Sequence, residues 1–304
     1  MDVVIPVYKP GAEFRELLNM LQKQTYPVNR IIVINTEKQY FSEKCNILKN
    51  MKIVHISKKE FDHAATRHMG MELVEGDYVM FMTMDAIPND EFVVENLLAP
   101  HLENKEVEIA VSYARQLPRT DCRLMEQYTR FYNYPDKSCV KTKSDLPQLG
   151  IKTYFCSDVC AMYNREIYLH LGGFVSKAIF NEDMIYAAKA IENNYGIAYC
   201  SEAKVLHSHN YTVKQQFSRN FDMGVSQKLH PEVFEGIKSE GEGIRLVKKT
   251  AGFLMKKGHW YEIPYLIISS AAKYLGYKKG KNYNKLSAEK IRKYTMNVEY
   301  WNNY

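Results

Sequence analysis

The stretch Tyr78–Pro88 reads YVMFMTMDAIP and holds one carboxylate, Asp85, soon after an apolar run. Residues 79–82 are apolar throughout and predict a buried strand, and Pro88 predicts that the chain turns away after the acid. A solvated Asp at a strand-to-loop corner is the commoner meaning of such a pattern. In α/β proteins, however, ligands bind outside the carboxyl ends of parallel strands. The rest of the sequence is needed to distinguish a solvated Asp from an Asp that binds a ligand.

Strand and helix patterns alternate on the amino-terminal side of this stretch. The predicted strands cover 2–8, 30–35 and 53–56, and the predicted helices cover 12–24 and 63–74. This alternation predicts an α/β fold with a parallel sheet and crossover helices. No G-x-G-x-x-G motif follows the first strand, which disfavours a dinucleotide-binding version of the fold.

The second half of the chain divides into three parts. Residues 118–153 lack a clear period and predict loops with short helices. Strands are predicted over 107–113, 154–164 and 197–206, with a helix that Asn181 can cap and that ends before Gly196. Beyond residue 213 the chain is helical in pattern and basic. We therefore expect an α/β domain over 1–212 and a basic helical region over 213–304.

Charge is distributed unevenly along the chain. Residues 245–293 hold 13 Lys and Arg against two Glu, a net charge of +11 that leaves −5 for the rest of a chain whose total is +6. A basic tail on an acidic body predicts two parts with different partners. Six cysteines without framework spacing favour a reduced, cytoplasmic chain, and the start MDVVIPVY does not resemble a signal peptide.

Three groups of residues could carry chemistry at the carboxyl edge of the predicted sheet. Asp85 is the first, the pair Glu182-Asp183 in the first turn of a helix is the second, and His207 with His209 is the third, on one face of a strand because they are two residues apart. An acid with a histidine can hold Mg²⁺ or Mn²⁺. A separate carboxylate can take a proton from an attacking hydroxyl, although a helix start favours the charged form of Asp183. The alternative for the acid pair is simple helix capping.

Several segments together carry a more specific signal. They are IPVYKP at 5–10, LQKQTYP at 21–27, FDHAATRHMG at 61–70, FMTMDAIP at 81–88, FCSDVCAMYNREIYLHLGGF at 155–174, FNEDM at 180–184 and HSHNYTVKQQFSRNFDMG at 207–224. With these segments the chain resembles inverting family-2 glycosyltransferases of the GT-A fold, and bacterial rhamnosyltransferases in particular, over roughly residues 1–225. The resemblance implies a Rossmann-like sheet for nucleotide-diphospho-sugars, followed by a helical carboxyl-terminal extension.

The resemblance implies a nucleotide-sugar site at the ends of the first strands. Its base would be lined by Pro6, Val7 and Tyr8. The second strand ends in Asn35 where the family usually has paired acids, and an Asn amide can pair with a pyrimidine imide. Arg67 corresponds to the arginine of the family's R-N-x-G motif, which would approach the base or the diphosphate. The alternative for Arg67 is a helix-surface arginine.

The family's D-x-D motif is Thr83-Met84-Asp85 here, which makes Asp85 the expected metal ligand beside Thr83. The resemblance implies that His207 and His209 complete the contacts to the metal or the diphosphate, with His207 preferred. Asp158 would lie on the sugar or acceptor side, or cap a turn as a buried Asp.

The family's E-D pair matches Glu182 and Asp183, with Asp183 as the implied base. Gln216 and Arg219 echo a Q-x-x-R motif and could steady the diphosphate.

These features lead to one functional hypothesis and two alternatives. The expected reaction moves L-rhamnose from dTDP-L-rhamnose, with inversion and with Mg²⁺ or Mn²⁺, to a cell-envelope polysaccharide or a lipid-linked acceptor. The first alternative is a transferase that uses another nucleotide sugar, such as a UDP-hexose. The second is a non-catalytic glycan- or lipid-binding protein on this fold, which the reduced D-x-D motif would allow.

The basic tail predicts a membrane surface as a partner. Its longest uncharged tract, Ile263–Ala272, has ten residues and is too short to span a bilayer. Lysines mixed with aromatic and aliphatic residues favour an interfacial helix on anionic lipid, and a solvated helix over a small core is the alternative. No nucleic-acid motif accompanies the charge. We therefore expect a cytoplasmic protein, peripheral at the inner face of the cell membrane.

Overall fold

The computed structural model describes residues 1–42, 45, 48–235 and 240–302. The chain forms two compact units. The first comprises Met1–Leu117, Tyr134–Lys177 and Glu182–His207, and the second comprises Pro118–Asn133, Ala178–Asn181 and the chain from Ser208 onward. The expected helical region from residue 213 therefore lies in the second unit, together with two short segments from earlier in the sequence.

The first unit is built on a mixed sheet. Its strands within the described residues are β1 (Asp2–Tyr8), β2 (Arg30–Thr36), β3 (Met51–Ile56), β4 (Tyr78–Met82), β5 (Ile87–Pro88), β6 (Ile109–Leu117), β7 (Cys139–Lys141), β8 (Cys160–Asn164) and β9 (Gly196–Leu206). The order is β3-β2-β1-β4-β8-β6-β9-β5, and β7 pairs with β9. Strands β1 to β4 are parallel where they pair, whereas β8 is antiparallel to both of its neighbours. The predicted parallel arrangement is confirmed for β1 to β4, whereas the short β5 pairs antiparallel with β9.

Two local predictions are wrong. Residues 154–159 are not strand, because Gly150–Tyr154 forms a 3₁₀ turn and β8 begins only at Cys160. Pro88 does not turn the chain away from the sheet, since it lies in β5 and pairs with Val205 of β9. A proline is tolerated there because β5 is the last strand in the sheet order, and an edge strand can do without one backbone N–H donor.

Helices cover the sheet of the first unit. They are α1 (Ala12–Gln22), α2 (His63–Glu72), α3 (Val93–Glu103), α5 (Leu146–Leu149), α6 (Arg165–His170) and α7 (Glu182–Glu192), numbered along the whole chain. The apolar stripe of α1 is buried as its spacing predicts, through Phe14, Leu17, Leu18 and Leu21. Helix α2 begins at Asp62, whose carboxylate accepts hydrogen bonds from the N–H groups of Ala64 and Ala65.

All the regular secondary structure among the described residues of the second unit is helical. Its helices are α4 (Leu124–Asn133), α8 (Val213–Leu229), α9 (Pro231–Phe234), α10 (Glu240–Lys256), α11 (Ile263–Lys281), α12 (Ala288–Tyr294) and α13 (Val298–Asn302). Helices α8 and α11 approach closely because glycines lie at their contact: a Cβ on Gly276 or Gly280 would overlap backbone atoms of α8. Among the described residues, no helix combines the length and the apolar character needed to cross a bilayer.

Candidate active site

The carboxylate of Asp85 lies beside His207, the residue that follows β9. Asp85 follows β4 in a turn, and its side chain is 21% exposed. His207 follows β9 directly and is buried. The Nε2 atom of His207 lies 3.6 Å from Oδ2 of Asp85. Asp85 and His207 are 122 positions apart in the sequence, yet a carboxylate oxygen of one lies near a ring nitrogen of the other. A carboxylate and an imidazole together can hold a divalent cation.

A buried glutamine orients this histidine. Nδ1 of His207 lies 3.0 Å from Oε1 of Gln116, an acceptor, so the Nδ1–H tautomer turns the Nε2 lone pair toward Asp85. The amide of Gln116 in turn donates to the hydroxyls of Tyr134 and Ser157. Such outer hydrogen bonds fix the ring orientation of metal-binding histidines. Sequence reasoning missed Gln116, and its one signal is a polar residue near the end of the otherwise buried strand IAVSYARQL.

A second cluster surrounds Arg67, which is 5% exposed. Its Nη1 donates to Oε1 of Glu182 at 2.9 Å, and its Nε lies 3.3 Å from Oδ2 of Asp158. Asp158 also accepts a 2.6 Å hydrogen bond from the hydroxyl of Tyr163. The alternative of a helix-surface arginine is therefore wrong, because α2 turns Arg67 inward onto two buried carboxylates. Asp158 is a buried acid of this cluster.

Asp183 is the third carboxylate of the same cluster. Its Oδ2 accepts a hydrogen bond from the N–H of Asp158 at 3.2 Å, and its Oδ1 accepts one from the N–H of Met184. Burial, followed by the charges of Asp158 and Glu182, raises the pKa of Asp183 well above its ordinary value. The sequence-based expectation that the helix start keeps this acid ionised is thus outweighed by burial and by like charges. An acid with a raised pKa is suited to take up a proton near neutral pH.

A backbone hydrogen bond connects the turn that holds Asp85 with the acid cluster around Arg67, at neighbouring ends of β4 and β8. The N–H of Thr83, just after β4, donates to the carbonyl of Val159, just before β8. Val159 follows Asp158 directly, and Asp158 N–H is the donor to Asp183. Thr83 also carries a buried hydroxyl that has no hydrogen-bond partner among the described residues. The position that holds the first acid of the family's D-x-D motif therefore offers an unused polar atom.

The residues expected around a nucleotide base are neighbours in the sheet. Val7 pairs with Asn35 and Tyr8 pairs with Thr36 in the parallel register of β1 and β2. Asn35 donates through Nδ2 to the carbonyl of Glu37 and lies 3.1 Å from Nδ1 of His55, while its buried Oδ1 finds no partner in the described part of the chain. An unpaired buried amide oxygen at a strand end is a free acceptor for a ligand N–H.

The remaining predicted residues lie in the second unit. Gln216 is buried on α8, and the guanidinium of Arg219 lies over the rings of Phe180 and Tyr211, with its Cζ atom 4.5 and 5.7 Å from their centroids. His209 is not part of a strand, since β9 ends at Leu206, and its ring lies against that of Tyr211. Its role as a metal ligand remains a prediction.

The fold and these clusters define a class. A mixed α/β sheet with a carboxylate and histidine pair after one strand, and a buried acid cluster beside the next, is the GT-A architecture of nucleotide-sugar glycosyltransferases. The chain belongs to the family "Glycosyl transferase family 2", whose model matches residues 2–172. It is a glycosyltransferase.

Two relatives match over nearly the whole chain. The O-antigen chain rhamnosyltransferase RfbN of Salmonella typhimurium is 38% identical over 308 aligned residues, which cover 100% of this chain and 96% of the relative. The O-antigen chain rhamnosyltransferase WbaN of Salmonella anatum is 37% identical, over 99% of this chain and 95% of the relative.

Solved structures show the same fold at low sequence identity. The mannosyltransferase PcManGT from Pyrobaculum calidifontis, in complex with GDP-Man and Mn²⁺, superposes with a TM-score of 0.56 at 14% identity, covering 99% of this chain and 84% of that one. Residues 1–349 of S. aureus TarS superpose with a TM-score of 0.51 at 15% identity, covering 93% of this chain and 90% of that one. The GT-A fold predicted from the sequence is confirmed.

Proposed function

We propose that this glycosyltransferase moves L-rhamnose from dTDP-L-rhamnose, with inversion, to a polysaccharide or lipid-linked saccharide of the cell envelope. Two full-length relatives named as O-antigen chain rhamnosyltransferases support the sugar and the kind of product. The observation that carries the proposal is the link from Thr83 through Val159 and Asp158 to Asp183, which brings the turn of Asp85 and the acid cluster to adjoining strand ends.

Asp183 is proposed as the base of a single displacement. Its carboxylate takes the proton of the acceptor hydroxyl as that oxygen forms a bond to the anomeric carbon of the sugar. The bond from this carbon to the diphosphate oxygen breaks at the same time, and the diphosphate leaves with the electron pair. Attack on the face opposite the leaving group inverts the anomeric configuration. The raised pKa of Asp183 supports the role of proton acceptor.

Glu182, Asp158 and Arg67 are proposed to hold this base in place. The two carboxylates share the guanidinium of Arg67, and their negative charges help to raise the pKa of Asp183. The Asp158 N–H fixes one oxygen of Asp183, which leaves the carboxylate in one orientation. Glu182 and Asp158 therefore act on the reaction through Asp183 and through the binding of the sugar.

The donor is proposed to bind along the strand ends of the first unit. The free Oδ1 of Asn35 would accept the imide N–H of a thymine, and Pro6, Val7 and Tyr8 would line the base. Asp85 and His207, with Thr83 beside them, suit Mg²⁺ or Mn²⁺, because the ring orientation set by Gln116 directs Nε2 of His207 toward the carboxylate of Asp85. A divalent ion held there would stabilise the negative charge of the departing diphosphate. His209, Gln216 and Arg219 are proposed as further diphosphate contacts on sequence grounds.

Membrane contact is proposed through an apolar stripe on α11. Ile267, Ile268, Tyr274 and Leu275 recur at helical spacing and are all more than half exposed, and Trp260, just before the helix, is 65% exposed. The stripe ends at the exposed lysines 278 and 279. Exposed apolar and aromatic groups beside lysines suit the interface of an anionic bilayer. This contact would keep the protein at the inner face of the cell membrane, near a lipid-linked acceptor.

A donor panel tests the proposed reaction. The full chain is incubated with dTDP-L-rhamnose, UDP-glucose or GDP-mannose and Mg²⁺ or Mn²⁺, with water as the acceptor of the sugar, and release of the nucleoside diphosphate by hydrolysis is followed by chromatography. We expect turnover of dTDP-L-rhamnose, its loss on adding EDTA, and a fall of about 100-fold or more in Asp85→Asn. Glu91→Gln, which changes an exposed acid between β5 and α3, is the matched control and keeps its rate. Turnover of another donor in place of dTDP-L-rhamnose, or an Asp85→Asn protein of full activity, would contradict the proposal.

A further inference from the structure

The second unit contains an open cavity of about 40 Å³. It is lined by parts of α4, α8, α10 and α11 and by residues 209–211. Among the lining side chains, the hydroxyls of Thr129 and Thr250 and the amide of Asn210 already donate to backbone carbonyls. Further donors come from the hydroxyls of Tyr211, Tyr265, Ser269 and Ser270 and from the amide of Gln216. A small polar ligand with several acceptor oxygens fits such a lining.

The charges of the lining are unbalanced. Arg123 and Lys273 both line the cavity, and Glu126 is the one carboxylate among the lining residues. Glu126 is already paired with Arg130, at 3.0 Å and with both side chains largely buried. Lys273 forms no ion pair or hydrogen bond with any residue that the structure describes. The cavity therefore carries more positive charge than its own acids neutralise.

A further cation worsens this imbalance. Burial lowers the pKa of Lys273, and the charges of Arg219 and Arg130 lower it further, while Glu126 opposes them. Arg219 stacks over Phe180 and Tyr211, and Tyr211 itself lines the cavity. An uncompensated, partly buried cation costs free energy in the folded chain. A bound anion would remove that cost, which is why this cluster indicates a ligand rather than a structural contact.

We propose that this cavity binds a phosphate or diphosphate group, with Lys273 and Arg123 as its charge partners and the hydroxyls and amides as donors to its remaining oxygens. A phosphate group offers more acceptor oxygens than a carboxylate, and the lining supplies more neutral donors than a carboxylate can use. The group could come from a free phosphate compound or from the head of a phospholipid or isoprenoid phosphate. Gln216 and His209 of the lining are also proposed as donor contacts, whereas Lys273 and Arg123 have no part in the proposed sugar transfer. Variants of Lys273 therefore test this site separately from the donor site.

Titration calorimetry of the full chain with inorganic pyrophosphate, in buffer with EDTA, tests the proposal. We expect wild type to bind, Lys273→Met to bind about 10-fold or more weakly, and Lys273→Arg to bind nearly as well as wild type. Lys279→Met, an exposed lysine on the same helix, is the matched control and binds like wild type. Lys273→Met is expected to melt no lower than wild type, because it removes an unpaired charge. No binding by wild type, or equal binding by wild type and Lys273→Met, overturns the proposal.

The source of the group is distinguished by repeating the titration with geranyl diphosphate. Tighter binding of geranyl diphosphate than of pyrophosphate, lost in Lys273→Met, supports a lipid-borne group. Equal binding of pyrophosphate and geranyl diphosphate, with the same loss, supports a free phosphate compound. Affinities for both that do not respond to Lys273→Met overturn the site.

Discussion

The two compact units contain buried or partly buried charge clusters of opposite sign. In the first, Asp158 and Glu182 share the buried guanidinium of Arg67 and the carboxylate of Asp183 lies beside them, so the cluster carries an excess of acid. In the second, the cation Lys273 and the stacked Arg219 lie near each other, while the nearby acid Glu126 is already paired. Each unit thus keeps charge of one sign that its own side chains do not neutralise.

The comparison separates structural charge from functional charge. A fold that needed only stability would pair its buried charges or replace them with apolar side chains, because unpaired buried charge is destabilising. The acid excess of the first unit is instead suited to accept a proton, and the cation excess of the second is suited to bind an anion. The following predictions test whether each excess has the role that its sign indicates.

The largest effect is expected from Asp183→Asn, which keeps the shape of the side chain and removes its ability to take a proton. A positioned general base contributes about 10²–10⁴-fold, so kcat should fall by that factor while the melting temperature changes little. Because the base must be ionised and its pKa is raised, the wild-type rate should increase with pH through a pKa well above that of an ordinary Asp. Initial rates across pH measure both effects.

The control for this prediction is Asp77→Asn, which removes an exposed acid just before β4 and should leave the rate and its pH profile unchanged. An Asp183→Asn protein that retained a rate within about 10-fold of wild type would show that the acid excess does not serve as a base.

Replacing Arg67 tests whether its guanidinium stabilises the buried carboxylates of Asp158 and Glu182. Arg67→Met leaves Asp158 and Glu182 buried without their partner, and breaking a buried pair in this way costs about 3–5 kcal/mol. The exposed pair of Arg30 with Glu75, 2.6 Å apart, provides the comparison, and Arg30→Met should cost less than about 1 kcal/mol. Urea unfolding gives the free energy of unfolding for each. Equal losses in the two variants would mean that the cluster is not electrostatically coupled.

Much of the local structure of the first unit could be predicted from the sequence, because apolar periodicity distinguishes strands from helices. The strand before Asp85 and the helix that begins at Glu182 are examples. What the sequence could not show is which distant groups meet. The hydrogen bond from His207 to Gln116 joins residues 91 positions apart, and the burial that raises the pKa of Asp183 exists only after packing. The position of Arg67 was open for the same reason, since a helix arginine can face either way.

The smallest effect is expected on the exposed face of the second unit. The double variant Ile267→Gln, Ile268→Gln removes two side chains that are 59% and 56% exposed and should therefore change the fold little. If the stripe lies in a bilayer interface, each lost isoleucine removes about 1 kcal/mol or more of transfer free energy, and binding to anionic vesicles should weaken by at least about 10-fold. Leu102→Gln, which is 62% exposed on α3 of the first unit, is the matched control. Vesicle sedimentation measures the binding, and equal losses in both variants would show that the exposed stripe has no special affinity for lipid.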